Sequence, residues 1–322
     1  MSKVSDYMVI KRLSSSKLGG NNQGVFLVKS NITNKSYIQK LVGKTAIDAG
    51  DAQREVRAMQ QSIAHPNIVH LEVWNLDYQK LGYGSIIMQH CELGSLDMLI
   101  DQFNHHHKYL KDEGFLWKVL WDVSLALCFL YTGTDIVTTR TCANDRVAVP
   151  IQRGWNRIFH RDVKPGNVFL TWKHAGGQDK CPYPTAVLGD FGSSISDADI
   201  RVGRVRANTN SRGTPAFDPP ESPMYDERSD VYAMGLILHC LARMQQVSVE
   251  SPEFREYHPV PQTFRDRALL TYVLKKCLAV HPIGRPMPNE LPFLVWNAYK
   301  GWRYCRQDDG QVLSSWVFSN NA

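Results

Sequence analysis

His160-Arg161-Asp162-Val163-Lys164-Pro165-Gly166-Asn167 sets a carboxylate and a carboxamide five residues apart, with Pro165 and Gly166 forcing irregular backbone between them. Downstream, the apolar run Ala186-Val187-Leu188 leads into Gly189-Asp190-Phe191-Gly192. A carboxylate between an apolar strand and a glycine is costly unless a cation pairs with it. A candidate cation lies far upstream: Lys40 closes the short strand Tyr37-Ile38-Gln39-Lys40. A lone strand lysine is ordinarily exposed. Glu55, however, follows fifteen residues later, beside the apolar stripe of a helix and one turn before Met59, so it can face the strand.

Around these positions the chain changes character once. Gly24–Val28 and Ser36–Lys40 read as adjacent antiparallel strands turned at Asn31–Lys35. From about Asp48 to Ser62 the period becomes helical, with Ala52, Val56, Met59 and Ile63 on one stripe, and His65-Pro66-Asn67 stops it. Ile68–Trp74 and Ser85–Gln89 return to strand character. After Gly94 helices dominate. One is marked by Leu116, Val119, Leu120, Val123, Leu127 and Leu130, a second by Val231, Met234, Leu238 and Leu241, and a third by Leu270, Val273, Leu274 and Cys277. A strand-rich part followed by a helix-rich part predicts an α+β fold in two lobes joined near Gln89–Gly94. Thr132–Trp155 and Thr171–Pro184 read as inserted flexible loops, and His105–His107 as a solvated face.

Taken in order, these segments resemble the motifs of the eukaryotic protein kinase family, from about Val9 to about Tyr304. His160–Asn167 is similar to the catalytic loop H-R-D-x-x-x-x-N, and Asp190-Phe191-Gly192 to the D-F-G element. Gly213-Thr214-Pro215-Ala216-Phe217-Asp218-Pro219-Pro220-Glu221 resembles the family's substrate-docking segment. Ile86-Ile87-Met88-Gln89-His90-Cys91-Glu92, Asp162–Leu170 and Gly213-Thr214-Pro215 resemble the NIMA-related branch in particular. The resemblance implies a small antiparallel-sheet N-lobe with one helix (1–88), a hinge (89–94) and a larger helical C-lobe (95–308). Together these make a kinase domain over 1–308, with a tail at 309–322.

It also implies roles. Asp162 would take or steer the proton of a protein Ser/Thr hydroxyl, Lys164 would meet the transferring γ-phosphate, and Thr214 would bond both. Lys40 would contact the ATP phosphates with Glu55 as its partner, and Mg2+ would sit on Asn167 and Asp190. Val25, Ile38 and Phe169 would sandwich adenine, with Met88 as gatekeeper and Gln89 and Cys91 offering backbone groups to the base edge. Met59, Leu71, His160 and Phe191 occupy the family's regulatory stack, Glu221 and Arg285 a structural ion pair, and Asp230 a brace under the catalytic loop. The phosphate cover departs from pattern. In Leu18–Val25, Gly19, Gly20 and Gly24 fit the family spacing only with a one-residue shift, leaving Gln23 at the third glycine. That departure, with Ile38 where alanine is usual, keeps open a pseudokinase that binds nucleotide or acts as a scaffold. A small-molecule kinase is disfavoured by Gly213–Glu221. Thr209 or Ser211, in the arginine-rich loop Ser193–Arg212, is the expected phosphosite for an activating kinase or autophosphorylation.

Composition fits this reading. Of 322 residues, 43% are hydrophobic and 21% charged, which excludes wholesale disorder. The net charge of +6 comes without a run of five basic residues or a nucleic-acid module, so no nucleic-acid partner is expected. The apolar stretches Val119–Tyr131 and Val231–Ala242 read as too short for a bilayer, and Met1–Asp6 lacks a signal-peptide core. Seven scattered cysteines suit a reducing, cytoplasmic or nuclear setting.

Overall fold

The computed structural model describes residues 3–15, 22–62, 65–79, 82–172, 181–203, 213–264, 267–305 and 313–318. In chain order the N-terminal part holds β1 (Tyr7–Ser15), β2 (Asn22–Ser30), β3 (Ser36–Gly43), α1 (Lys44–Asp48), α2 (Asp51–Gln61), β4 (Leu71–Asn75) and β5 (Tyr83–Gln89). Next come α3 (Leu96–His105), α4 (Glu113–Thr132), α5 (Ile136–Asp145), β6 (Ile158–Phe159), β7 (Val168–Thr171), β8 (Thr185–Leu188) and β9 (Ile195–Ser196). The chain continues through α6 (Asp197–Arg201), α7 (Ser229–Arg243), α8 (Pro252–Tyr257), α9 (Ala268–Cys277) and α10 (Leu291–Tyr304).

The first five strands form one antiparallel sheet, ordered β1-β2-β3-β5-β4, and the rest is mainly helical, so the fold is α+β in two parts. The turn expected at Asn31–Lys35 is present: Ser30 N–H donates to the Lys35 carbonyl at 2.9 Å, and Asn34 takes a left-handed conformation at φ 59°. Register then sets the site, placing Val25 opposite Lys40 and Ile38 between Leu27 and Met88. The helix expected over about 48–62 is α2, which starts at Asp51 after the left-handed Gly50, with the short α1 before it; α2 buries Ala52, Val56 and Met59, and Ile63 lies outside the described residues. The strand expected from Ile68 starts only at Leu71. Ile68 and Val69 instead join β8, with Val69 N–H donating to the Leu188 carbonyl at 2.9 Å, which ties the two parts together.

Two expectations about the C-terminal part are corrected. By length and composition the helix Glu113–Thr132 could cross a membrane, yet it is the core helix of this part, buried on nearly every side. Its Asp122 accepts from Lys118 Nζ at 2.5 Å and from the Ala186 amide at 2.7 Å. Thr132–Trp155, read as a flexible loop, is a built insertion. Gly133 ends α4 at φ +70°, and a Cβ there would sit 2.3 Å from the Trp155 ring, so only glycine lets the indole close over the helix end. Trp155 Nε1 donates to the Leu130 carbonyl at 3.0 Å. α5 then packs on α10, where Trp296 donates to Asn144 at 2.6 Å; Val149 and Asn289 exchange bonds at 2.9 and 3.0 Å.

At the far end, Trp316 lies against Phe103 and His106, with ring centroids 5.0 and 4.7 Å away, and Lys108 Nζ stands 4.6 Å from its centroid. Val317 beside it is buried, so residues 313–318 dock on α3. His105–His107 are exposed, as expected, although His106 shares the Trp316 contact.

Candidate active site

The segment between β6 and β7 is held from below. His160 and Arg161 donate their backbone N–H groups to the two oxygens of Asp230, at 2.8 and 2.9 Å, from the first turn of α7. Burial pushes the Asp230 carboxyl up, against the pull of His160 and the two amides. Arg161 sits at φ 64°, a left-handed turn immediately before Asp162.

Four groups then converge on Asp162. Its Oδ1 accepts from the backbone N–H and the hydroxyl of Thr214, both at 3.0 Å. Its Oδ2 faces Asn167 Nδ2 at 2.9 Å and Lys164 Nζ at 3.1 Å. Lys164 Nζ also donates to Thr214 Oγ1 at 2.6 Å, so the loop is closed over the carboxylate by a segment fifty residues downstream. That segment is fixed in turn by a fork-to-fork pair: Arg285 Nη1 and Nη2 donate to Glu221 at 2.7 and 2.8 Å, with the guanidinium fully buried.

The second cluster is ionic. Lys40 Nζ lies 2.7 Å from Glu55 Oε1 and 2.7 Å from Asp190 Oδ1. Burial works against the Lys40 charge, but the carboxylates of Asp190 and Glu55 outweigh it and hold the ammonium above its usual range. The Lys40 charge likewise brings the Asp190 carboxyl down to about 2, while burial pushes the Glu55 carboxyl up against the pull of Lys40. Asp190 adopts a left-handed backbone, φ 59° and ψ 76°. A Cβ on Gly192 would stand 3.3 Å from Asp190 Oδ1 and 3.4 Å from Lys40 Nζ, so a side chain there would press on the ion pair. Phe191 points the other way, fully buried, its ring 4.8 Å from that of His160; Met59 and Leu71 are buried in the same core.

The residues expected around a base are spread along the sheet and the connection below it. Val25 and Ile38 are half-buried on β2 and β3, Met88 is buried on β5, and Phe169 is half-buried on β7. Gln89 ends β5, its N–H donating to the His70 carbonyl at 2.8 Å, and Cys91 is buried. The connection is anchored rather than loose: Leu93 N–H donates to Leu170 at 3.1 Å, and Glu92 accepts from Thr171 Oγ1 and the Trp172 amide, both at 2.7 Å. Gly24 is buried in β2, whereas Gly19, Gly20, Thr209 and Ser211 lie outside the described residues.

Sequence reasoning missed a group beside α2. Arg57 donates to Asp199 at 2.9 Å, and Asn156 bonds both Gln61 and Ala198. One signal was readable: Ser196-Asp197-Ala198-Asp199 is a capping box, which opens α6.

No family model matches the chain. Among curated proteins it is similar to the probable serine/threonine-protein kinase nek2 of Dictyostelium discoideum, 28% identical over 85% of this chain and 60% of that protein. It is 30% identical to the G2-specific protein kinase nimA of Emericella nidulans, over 70% of this chain and 32% of that one. The mouse serine/threonine-protein kinase Nek2 is 27% identical over 76% of this chain and 47% of its own length. The chain thus spans between about a third and three fifths of the length of these three relatives. These similarities extend over 70 to 85% of the chain, and the relatives they reach, Ser/Thr protein kinases of the NIMA-related branch, support its membership of the eukaryotic protein kinase family.

Proposed function

We propose that the chain transfers the γ-phosphoryl group of ATP to serine and threonine hydroxyls of proteins. The observation that carries this reading is the convergence of Thr214, Lys164 and Asn167 on Asp162 while Lys40 bridges Glu55 and Asp190. In the transfer, the acceptor oxygen bonds to the γ-phosphorus as the bridging oxygen leaves with ADP, and Asp162 takes or steers the hydroxyl proton. Thr214 and Lys164 hold the Asp162 carboxylate in one orientation. Lys40 presents its ammonium to phosphate, kept charged by its two carboxylates. The oxygen-rich pair Asp190 and Asn167 suits Mg2+, a hard cation that would neutralise phosphate charge when bound. Asp190 is held ionised, and the Asn167 amide nitrogen is committed to Asp162, which turns its carbonyl end away from that carboxylate. Val25, Ile38, Met88, Phe169 and the backbone of Gln89 and Cys91 would receive adenine, with Gly19, Gly20 and Gly24 over the phosphates.

Phosphate on Thr209 or Ser211, added by another kinase or by the chain itself, would order the loop through its arginines. Alanine at both positions should lower activity; unchanged activity and loop order would exclude this regulation. Seven cysteines, all free, suit a reducing intracellular setting. A pseudokinase is the second reading, favoured by Gln23. Its side chain covers Gly43 so closely that a Cβ there would lie 2.8 Å from Nε2, beside the irregular glycine segment. A peptide library with Ser, Thr or Tyr as the sole acceptor tests the main reading with magnesium-ATP. Label on Ser and Thr alone is expected, and preferential label on Tyr would overturn it.

A further inference from the structure

A cavity of about 480 Å³ separates α2 from β9 and α6, lined by Arg54, Arg57, Gln61, Asn156 and Ser194 among others. What spans it is polar. Gln61 Nε2 donates to the Asn156 carbonyl at 2.6 Å, and Asn156 Nδ2 donates back to Gln61 Oε1 at 3.2 Å. Asn156 Oδ1 meanwhile accepts the Ala198 N–H at 2.8 Å. One side chain therefore ties the last turn of α2 to the first turn of α6.

Both ends of this tie are themselves held. Asn156 follows Trp155, which is clamped on Gly133 and Leu130 by the insertion. Arg157 donates to Asp197 at 2.7 Å and to Glu227 at 2.6 Å, and Asp199 is fixed by the Ser196 hydroxyl at 2.8 Å while receiving Arg57. Gln61 lies six residues beyond Glu55, about 9 Å along a helix rising 1.5 Å per residue. Over so short a helix, fixing the end fixes the carboxylate.

We propose that Asn156 is a positioning residue: through Gln61 and Ala198 it holds α2 in place and so keeps Glu55 on Lys40. The effect on transfer rests on the kinase reading; the tie itself does not. The test is amide hydrogen exchange of the whole chain carrying Asn156→Ala or Gln61→Ala, alongside steady-state kinetics. Alanine is the strongest helix former, so Gln61→Ala should by propensity slow exchange in α2. Loss of the tie should instead make α2 amides exchange about tenfold faster, the scale of one net hydrogen bond, with α7 unchanged. Unchanged α2 exchange in both variants overturns the proposal. Should Asn156→Ala loosen α7 as well, Gln61→Ala decides alone. In an active chain, Gln61→Ala lowers kcat with KM for ATP steady; faster α2 exchange with kcat unchanged would reduce the tie to a structural contact and overturn the positioning role. A wild-type chain without transfer contradicts the kinase reading, and exchange in α2 still decides the tie.

Discussion

Lys164 Nζ donates to Thr214 Oγ1 across 2.6 Å while the two residues take different oxygens of Asp162, Oδ2 and Oδ1. The carboxylate is thus gripped from both sides, and its direction depends on a residue from a distant loop. Thr214→Val removes the hydroxyl but keeps the shape and the backbone N–H. Initial-rate assays should show transfer falling about tenfold, the worth of one hydrogen bond to a charged group, with Thr214→Ser near wild type. Equal rates for Val and Ser would detach the hydroxyl from the grip.

Lys40 has two carboxylate partners, and they are not equivalent for activity. Glu55→Gln leaves Asp190 at 2.7 Å to hold the ammonium, whereas Lys40→Met leaves two carboxylates and no cation. Lys40→Met should therefore reduce kcat/KM by about 10²–10³, as loss of a charge-stabilising donor does, and Glu55→Gln by less. The reverse order would contradict the geometry.

Arg285 is fully buried on Glu221, so removing either partner is not the same experiment. Arg285→Ala strands a mostly buried carboxylate and should cost about 3–5 kcal/mol in denaturant unfolding. Glu221→Gln, which keeps hydrogen-bonding capacity, should cost less. An Arg285→Ala midpoint matching wild type would show the pair contributes nothing.

His65 gives a pH signature. Burial, with Arg140 adding to it, brings its imidazole down to about 3, and Nδ1 accepts the Asn67 N–H at 3.2 Å, which requires the neutral ring. Unfolded histidine binds a proton near pH 6.5, so the unfolded state gains protons first. Stability is then unaffected above about pH 6.5 and falls as pH drops toward 3, by up to about 1.4 kcal/mol per unit. His65→Asn keeps an acceptor and removes the titration. Unfolding between pH 6.5 and 4.5 should show wild type losing stability more steeply; parallel profiles would contradict a neutral buried His65.

Much of this site is legible in the chain because its parts are short and rigidly spaced. Asp162, Lys164 and Asn167 lie within one irregular loop, and Thr214 and Asp190 sit in Pro- or Gly-marked turns whose residue types the backbone requires. What escaped was structure made by long-range packing of ordinary residues. α5 buries only Thr139 and Ala143, too small a stripe to announce a helix, and Pro150 and Gly154 nearby read as loop punctuation. The partner of that insertion is α10, well over a hundred residues away, where Trp296 meets Asn144. Asn156 is similar. Nothing in an isolated asparagine tells that a glutamine on α2 and an amide on α6 will meet it.

The central claim is that Asp162, so held, serves phosphoryl transfer. Magnesium-dependent incorporation of phosphate from ATP, compared between wild type and Asp162→Asn, tests it most directly, with the melting temperature followed alongside. Wild type should transfer, Asp162→Asn should fall by at least about 10², and ATP should raise the melting temperature of both. The same background signal from both chains would contradict it.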